Sequence, residues 1–475
     1  MKPWIGHLAI LLCSNVWADD PKTAKSPPAP TSFDLPALDA YIAGQVKEKE
    51  FIGLSVGVLR EGKPVFAKGY GRASIPDGNA VDTNTRFAIG SVTKQFICGC
   101  ILLLAEEGKL SVNDKVAKWY PDLTRAQDIT LYDLMSHTSG YPDYYPLDFV
   151  DRRLAKPIEP DKLIHEYATG KLDFEPGSRW SYSNTGYIIL GRIVEKVAGE
   201  ALDKFLQRRI FEPLHMDHTL FEPTERGAGF ARGYTSFALS PPEPAIPEAA
   251  GWCHAAGGIF STPGDLLKWD NALMNGTVLK PDSLRLMTSP RVLSTGKVRD
   301  YGCGLLLSRR DSQRLLAHGG AVSGFLTRNV MLPDLKSAVV LVTNSDVVDE
   351  EPILRAIISL LLSKEGGPEV SVPKIQGKPA KEAAQDMLRQ LAAGDVDRSK
   401  LAAEYNLYLT DEKIRGAKER LQPLGEPTKI EVERTAERGG MEVARVRFTF
   451  KNAVLSASMY RTPDGIIQQF FINKD

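Results

Sequence analysis

Apolar positions along the chain follow a strand pattern near its beginning and a helical pattern soon afterwards. Residues 35–50 have the apolar spacing of a helix. Residues 54–59 and 64–70 are apolar runs that flank a Glu-Gly-Lys turn, which predicts a β-hairpin. Residues 91–107 carry a broad apolar face and stop before Gly108, so they predict a helix that is mostly buried.

Farther along, residues 115–300 form helical patches joined by Gly- and Pro-rich loops, and residues 187–197 are the clearest helix among them. Strand patterns then return, and one more helix follows them. The strands are predicted at residues 304–307, 315–317, 328–332 and 338–343, and the helix at residues 351–362. Strands at both ends of a helical middle predict an α+β class, with one antiparallel sheet assembled from both ends and a helical region inserted.

The chain is expected to have five segments. They are a signal peptide (1–18), a Pro-rich spacer (19–34), a main domain (35–363), a linker rich in Gly, Pro, Lys and Glu (364–381) and a small α+β accessory domain (382–475). The accessory domain is predicted to have helices at 383–393 and 411–421 and an antiparallel sheet of strands at 428–433, 442–450, 454–461 and 466–472. It contains no histidine, no cysteine and no obvious nucleophile group.

The first residues have the pattern of a secretory signal. Met1-Lys2 precedes the apolar run 5–16, and Ala18 stands before two aspartates. We therefore expect cleavage after Ala18 and a secreted or periplasmic protein. The run is too short to span a bilayer, so no integral membrane span is expected in the mature chain.

Composition excludes several partners. The 475 residues are 43% apolar and 25% charged, and 59 basic side chains balance 59 acidic ones. A net charge of zero does not favour nucleic acid or an anionic membrane. No C-x-x-C pair or H-x-x-x-H cluster is present, so neither a metal nor a cofactor is expected. A small molecule or short peptide remains the expected substrate, while the oligomeric state and disulfide pairing stay open.

The sequence Ser91-Val92-Thr93-Lys94 has the S-x-x-K pattern at the start of the predicted buried helix. Residues three apart share one helix face, so the hydroxyl and the amine lie a turn apart. A serine hydroxyl is a poor nucleophile until a neighbouring base takes its proton, and a lysine can be that base. The helix N-terminus adds a positive backbone dipole that favours a developing oxyanion.

Two further motifs supply partners for this pair. Tyr182 and Asn184 are two apart in an extended loop, so both side chains can face one cleft. Asn184 also stands just before a helix, where it could serve as a cap. His318-Gly319-Gly320 is expected to end the strand 315–317, and glycines there let a substrate backbone approach the strand edge.

The order S-x-x-K, Y-x-N, H-x-G resembles the serine β-lactamase-related family. This family includes class C β-lactamases, D-aminopeptidases, D-Ala-D-Ala carboxypeptidases, some esterases and penicillin-binding proteins. The resemblance covers about residues 35–362 and rests on stretches 87–94, 134–140, 176–187, 256–262 and 318–325. It implies a β-lactamase/transpeptidase-like fold with the site between the sheet and the helical region.

The resemblance also implies roles for the motif residues. Ser91 would be the acylated nucleophile, with Lys94 and Tyr182 as the proton-transfer pair; which of the two is the base stays open. Asn184 would orient the substrate. The backbone N–H groups of Ser91 and Ala321 would form the oxyanion hole.

His318 departs from the family pattern, since β-lactamases and carboxypeptidases of the family usually have lysine there. A histidine is mostly neutral near pH 7, so it offers no permanent cation to a substrate carboxylate. The expected function is an exported hydrolase that cleaves amides or esters of D-residue peptides or short acyl groups through an acyl-enzyme on Ser91. The alternatives are a β-lactamase, a slow penicillin-binding acyl-trap and a non-catalytic binder of cell-wall fragments.

Overall fold

The computed structural model describes residues 26–76, 78–145, 152–236, 240–310, 312–363, 374–438 and 440–474. The chain divides into two compact units, residues 1–364 and 365–475. The predicted signal peptide and more than half of the predicted linker lie outside the described residues. Within the described residues, no helix is both long enough and apolar enough to cross a membrane.

The first unit combines ten α-helices and thirteen strands in its described residues. The helices are α1 (Leu35–Glu48), α2 (Thr93–Glu106), α3 (Leu131–Met135), α4 (Pro160–Ala168), α5 (Asn184–Ala198), α6 (Leu202–Leu206), α7 (His254–Gly257), α8 (Pro263–Met274), α9 (Pro281–Met287) and α10 (Glu351–Leu362). The strands are β1 (Gly53–Arg60), β2 (Lys63–Gly71), β3 (Phe87–Ala88), β4 (Leu220–Phe221), β5 (Tyr234–Thr235), β6 (Glu243–Pro244), β7 (Ile259–Ser261), β8 (Arg291–Val292), β9 (Val298–Arg299), β10 (Leu306–Arg310), β11 (Gln313–Val322), β12 (Phe325–Leu332) and β13 (Ser337–Thr343).

The main sheet has six antiparallel strands in the order β10-β11-β12-β13-β1-β2. The N-terminal hairpin therefore pairs with the last strand of the unit, and Leu54 lies opposite Thr343. This arrangement confirms the prediction of one α+β sheet assembled from both ends of the unit, with a helical region inserted between them.

Helices bury both faces of this sheet at its central strands, whereas the edge strands β2 and β10 are mostly exposed or half-buried. All seven residues of β13 are buried. Val339 and Leu341 pack into an apolar cluster with α1 and α10 on one face. Val340 and Val342 belong to the cluster on the other face, which contains most of α2 and α5. Successive side chains of a strand point to opposite faces, so one apolar strand serves both cores.

Two boundaries near the motifs differ from the prediction. β11 continues through the histidine and glycines to Val322 instead of ending at residue 317. The ladder with β12 uses only backbone groups, so the small residues of this stretch do not interrupt it. Helix α5 begins at Asn184, three residues before the predicted start.

The second unit, described by itself, is also α+β. It contains α11 (Ala380–Ala393), α12 (Ala403–Tyr408) and α13 (Asp411–Leu421), followed by β14 (Lys429–Arg438), β15 (Met441–Thr449), β16 (Val454–Arg461) and β17 (Ile467–Lys474). The four strands form an antiparallel meander, and its apolar core includes Phe448, Met459 and Phe470. The six-residue helix α12 was not predicted, since it is too short to show a helical repeat.

A buried polar network joins the main sheet to helix α2 of the first unit. Asn329 on β12 donates from Nδ2 to Asp270 Oδ2 at 2.7 Å, and its Oδ1 accepts from Gln95 Nε2 at 2.9 Å. Trp269 Nε1 donates to Gln95 Oε1 at 3.0 Å. Burial raises the pKa of Asp270 well above its ordinary value. The network therefore fixes α2 against α8 and β12 without a nearby positive charge.

The pH dependence of stability should reveal the protonation of Asp270. Between the unfolded and folded pKa values of this carboxyl, the native state binds more protons, so the free energy of unfolding falls as pH rises. Asp270→Asn keeps an acceptor for Asn329 and removes the titration. We expect the variant to gain stability relative to the native sequence between pH 5 and 8, by at most about 1.4 kcal/mol per pH unit.

Tryptophan fluorescence during urea unfolding is a suitable measurement. All six tryptophans precede residue 270, so their emission reports on the first unit alone. An equal stability difference at pH 5 and pH 8 would contradict the buried neutral carboxyl.

Candidate active site

Ser91 lies in a tight turn that opens onto a cleft of about 390 Å³. The turn Gly90–Val92 is a 3₁₀ segment that runs directly into α2. Gly90 has a positive φ of 51°, and a Cβ there would lie 2.9 Å from the backbone nitrogen of Ala321. Glycine at this position therefore lets the Ser91 turn lie against strand β11.

Lys94 is fully buried beneath Ser91 and has oxygen partners in three elements. Its Nζ lies 2.9 Å from Ser91 Oγ, 2.7 Å from Asn184 Oδ1 and 2.7 Å from the carbonyl oxygen of Ala256. The rings of Tyr182 and Tyr187 also lie close, with centroids 4.9 Å and 5.3 Å from Nζ. The amine is thus held at hydrogen-bond distance from the serine hydroxyl.

Asn184 bridges Lys94 to an aspartate that sequence analysis did not identify. Asn184 is the first residue of α5 and not its cap; the cap position belongs to Ser183, whose backbone is extended. The Asn184 backbone N–H and Nδ2 donate to Asp143 Oδ1 at 3.0 and 3.1 Å. Because a carboxylate only accepts, Nδ2 must face Asp143 and Oδ1 must face Lys94. Asp143 therefore fixes the orientation of the amide.

Tyr182 lines the cleft beside this pair. Its ring packs against the imidazole of His137, with centroids 4.2 Å apart and planes inclined by 35°. The same imidazole lies 4.9 Å from the ring of Tyr301. His137 occupies a turn with φ of 57° and is buried, so the turn predicted around it also supports Tyr182.

Strand β11 forms the opposite wall. Its partner β10 reaches only to Ala317, so His318, Gly319, Gly320 and Ala321 lie beyond the β10 pairing and line the cleft. A Cβ on Gly320 would lie 1.9 Å from the carbonyl oxygen of Ile89 and 3.2 Å from the Ser91 nitrogen. This close approach places the backbone of the motif glycines against the turn that carries Ser91.

The hydrogen bonds of two histidines define their tautomers. Gly319 O can only accept, so His318 Nδ1, 2.6 Å away, must carry the proton. His137 Nδ1 accepts from the Ser183 backbone N–H at 3.1 Å, so its Nε2 carries the proton. Tyr301 lies between the two rings, 3.1 Å from each Nε2. Its hydroxyl therefore accepts from His137 and donates to His318.

Both imidazoles are held in the neutral form. Burial, followed by the nearby Lys94, lowers the pKa of His318 to about 3. The same causes, with His318 added, lower the pKa of His137 well below its ordinary value. A second proton on His137 would face the Ser183 N–H, and a second proton on His318 would face the Tyr301 hydroxyl. Either proton would place two donors against each other and break this series of hydrogen bonds. His318 thus presents an uncharged wall, as the sequence suggested for neutral pH.

Sequence reasoning missed Asp143, Tyr301 and Arg328, which also line the cleft. Asp143 and Tyr301 lie in loops with no periodic pattern, and they reach the site only through tertiary packing. Arg328 was assigned to a strand without a role. In the described parts of the chain, no group of three or more His, Cys, Asp or Glu side chains is placed to hold a metal.

A serine hydroxyl hydrogen-bonded to a buried lysine, in a cleft between a sheet and a helical region, defines this protein as a serine hydrolase. Residues 38–362 match the beta-lactamase family, and the chain belongs to that family. Penicillin-binding protein 4* of Bacillus subtilis is 28% identical over 337 residues, which are 67% of this chain and 74% of that protein. A D-aminopeptidase of Brucella anthropi is 28% identical and is matched over 62% of this chain and 56% of its own length.

Solved structures show the same fold. D-amino acid amidase from Ochrobactrum anthropi SV3, complexed with D-phenylalanine, has a TM-score of 0.59 at 25% identity and covers 68% of this chain and 98% of its own. The octameric penicillin-binding protein homologue from Pyrococcus abyssi has a TM-score of 0.62 at 20% identity. That likeness covers 92% of this chain and 99% of the homologue, and it concerns the fold alone.

The tautomers and charge of the two histidines can be checked by ¹⁵N-detected NMR between pH 8 and 5. We expect His318 to be protonated at Nδ1, His137 at Nε2, and both to stay neutral throughout, because burial disfavours the imidazolium. Tyr301→Phe should leave His318 protonated at Nδ1, because Gly319 O still accepts from that nitrogen, and should shift the Nε2 resonance, because Nε2 loses its donor. Titration of either ring in this range, or the opposite tautomers, would contradict the hydrogen bonds assigned between His137, Tyr301 and His318.

Proposed function

We propose that this protein forms an acyl-enzyme on Ser91 and hydrolyses small amides, with small esters as a second class of substrate. The observation that carries the proposal is the 2.9 Å contact between Ser91 Oγ and the buried Lys94 Nζ at the floor of an open cleft. Nucleophile and base within hydrogen-bond reach are the basic requirement for covalent catalysis by serine.

The proposed first step follows from this contact. Ser91 Oγ attacks the substrate carbonyl carbon while its proton passes to Lys94, and the carbonyl oxygen becomes an oxyanion. The backbone N–H groups of Ser91 and Ala321 stabilise that charge. Collapse of the intermediate breaks the bond to the amine or alcohol, which leaves with a proton, and water then hydrolyses the ester on Ser91.

The partners of Lys94 favour it as the base. A neutral amine has two N–H donors and one lone pair. The two carbonyl oxygens, from Asn184 and Ala256, can only accept, so they take the two N–H groups. The lone pair is then left to face Ser91 Oγ. Tyr182, with its ring 4.9 Å from Nζ, is the neighbouring group proposed to relay the proton toward the leaving group.

Substrate class is supported by the cleft and the relatives together. The cleft is small, and its aromatic lining residues include Tyr144, Tyr145, Trp180 and Tyr182. His318 is neutral, which does not favour a substrate carboxylate at that wall. Relatives named D-aminopeptidase and D-amino acid amidase support amides of D-residues over β-lactams. The signal-like residues 1–18 support action outside the cytoplasm.

The experiment that tests this function compares two chromogenic substrates, a D-aminoacyl p-nitroanilide and p-nitrophenyl butyrate. We expect multiple turnovers of the anilide that disappear in Ser91→Ala. Ser139→Ala is a matched control, since Ser139 is also buried and its hydroxyl accepts from the Tyr141 backbone N–H. Ester cleavage alone would indicate an esterase, whereas one labelling event without turnover would indicate a penicillin-binding acyl-trap.

The roles of Lys94 and Tyr182 can be separated by single-turnover acylation followed by mass spectrometry. Lys94→Met should slow acylation by about 10²–10⁴-fold, because the proton acceptor is lost. Tyr182→Phe keeps the ring against His137 and should slow it less. Lys109→Met, exposed just beyond the same helix, should leave the rate unchanged. A greater loss in Tyr182→Phe would instead make the phenol the base.

A further inference from the structure

One carboxylate lines the cleft. Asp143 is half-buried in the loop beside α5, and it is the only acidic residue among the described residues of this lining. Its Oδ1 accepts two hydrogen bonds from Asn184, and its Oδ2 lies 3.3 Å from Asn184 Nδ2. A carboxylate offers about four lone-pair sites, so Oδ2 keeps the capacity to accept further hydrogen bonds.

The partners of Asp143 leave its charge uncompensated. The groups that donate to it are all neutral: the backbone N–H and Nδ2 of Asn184, and the backbone N–H of Tyr145 at 3.2 Å from Oδ1. Lys94 faces the opposite end of the same amide and is bound there by three oxygen atoms. The carboxylate thus meets the cleft without an ion-pair partner among the described residues.

Arg328, which also lines the cleft, is by contrast already paired. Arg328 lies over Gly319, where a Cβ would stand 2.5 Å from its Nη1. Its Nε is 2.8 Å from Glu350 and 3.9 Å from Glu351. Since two carboxylates surround one guanidinium, this corner does not offer a free positive charge to an anionic substrate.

We infer that Asp143 is a substrate-binding residue that accepts a primary ammonium group. The inference rests on the proposed function, and it narrows the substrates to small acyl compounds that carry a free amine. An ammonium has three donors and forms charge-assisted bonds to a carboxylate, which are stronger than bonds between neutral groups. An N-acylated or des-amino substrate forms no such bond.

The geometry suits a small molecule. Ser91 Oγ, Lys94 Nζ, the Asn184 amide and Asp143 are linked by consecutive hydrogen bonds of 2.9, 2.7 and 3.1 Å. Ser91 and Asp143 line the same cleft, so a carbonyl at the serine and an ammonium at the aspartate belong to one short acyl group.

The test uses three p-nitroanilides that differ only at the amine: D-phenylalanyl, N-acetyl-D-phenylalanyl and 3-phenylpropionyl. We expect the native protein to prefer the free amine at least about tenfold in kcat/KM, as one hydrogen bond to a charged group implies. Asp143→Asn keeps an acceptor for Asn184 and removes the charge, so the preference should fall to about one. Any general loss from a displaced Asn184 affects all three substrates and cancels in the ratio.

Glu248→Gln is the matched control. Glu248 is also half-buried and accepts the Ser323 backbone N–H at 2.9 Å, but it lines the neighbouring cavity. This variant should keep the native preference. An unchanged preference in Asp143→Asn, or no preference in the native protein, would overturn the inference.

Binding to the inactive Ser91→Ala protein separates this inference from the proposed function. D-phenylalaninamide should bind at least about tenfold more tightly than 3-phenylpropionamide in an NMR titration, and Asp143→Asn should remove the difference. If no anilide or ester is hydrolysed but this difference is present, the hydrolase function fails and the ammonium site stands. Equal binding of the two amides overturns the ammonium site, whatever the turnover.

Discussion

The burial of one lysine amine constrains the helical region of the first unit. Lys94 has no exposed surface, and an amine removed from water without hydrogen-bond partners is costly. Its partners come from three separate places: the turn at Ser91, the first residue of α5 and the carbonyl of Ala256 in α7. Displacing any of these elements would leave a buried polar atom unsatisfied. The hydrogen bonds that satisfy the buried amine are therefore the same ones that hold it against the serine hydroxyl.

The electrostatics around this amine follow from that constraint. A second positive charge close to Lys94 would be unfavourable, and both nearby imidazoles are held neutral, with burial as the main cause and Lys94 as the next. Gly319 O and the Ser183 N–H fix the tautomers of the two rings, so the Tyr301 hydroxyl between them accepts from His137 and donates to His318. The aspartate bound to Asn184 lies on the far side of the amide. The lysine amine and the carboxylate thus flank one carboxamide, and each fixes one end of it.

Much of the fold was accessible from the sequence, because long apolar patterns are set by burial on the faces of helices and strands. Residues 351–362, 411–421 and 454–461 have the predicted bounds. Strand β11 was placed too short, since glycine carries no side-chain signal while the backbone still pairs with β12. The motif serine, lysine and asparagine meet in the structure as local spacing allowed. Asp143 and Tyr301 had no such signal, because loops far apart in sequence bring them to the cleft.

The order of strands in the main sheet has a consequence for biosynthesis. Gly53 and Thr343 are hydrogen-bonded although they are 290 positions apart. Strand β1 therefore cannot pair with β13 until almost the whole unit has been synthesised. Until then the hairpin has an open, apolar edge, which is prone to pair with other chains. The serine and lysine are synthesised early, but β11 and β12 come late. A nascent chain therefore carries Ser91 without the wall that completes the cleft, and the cleft cannot form before synthesis of the first unit is nearly finished.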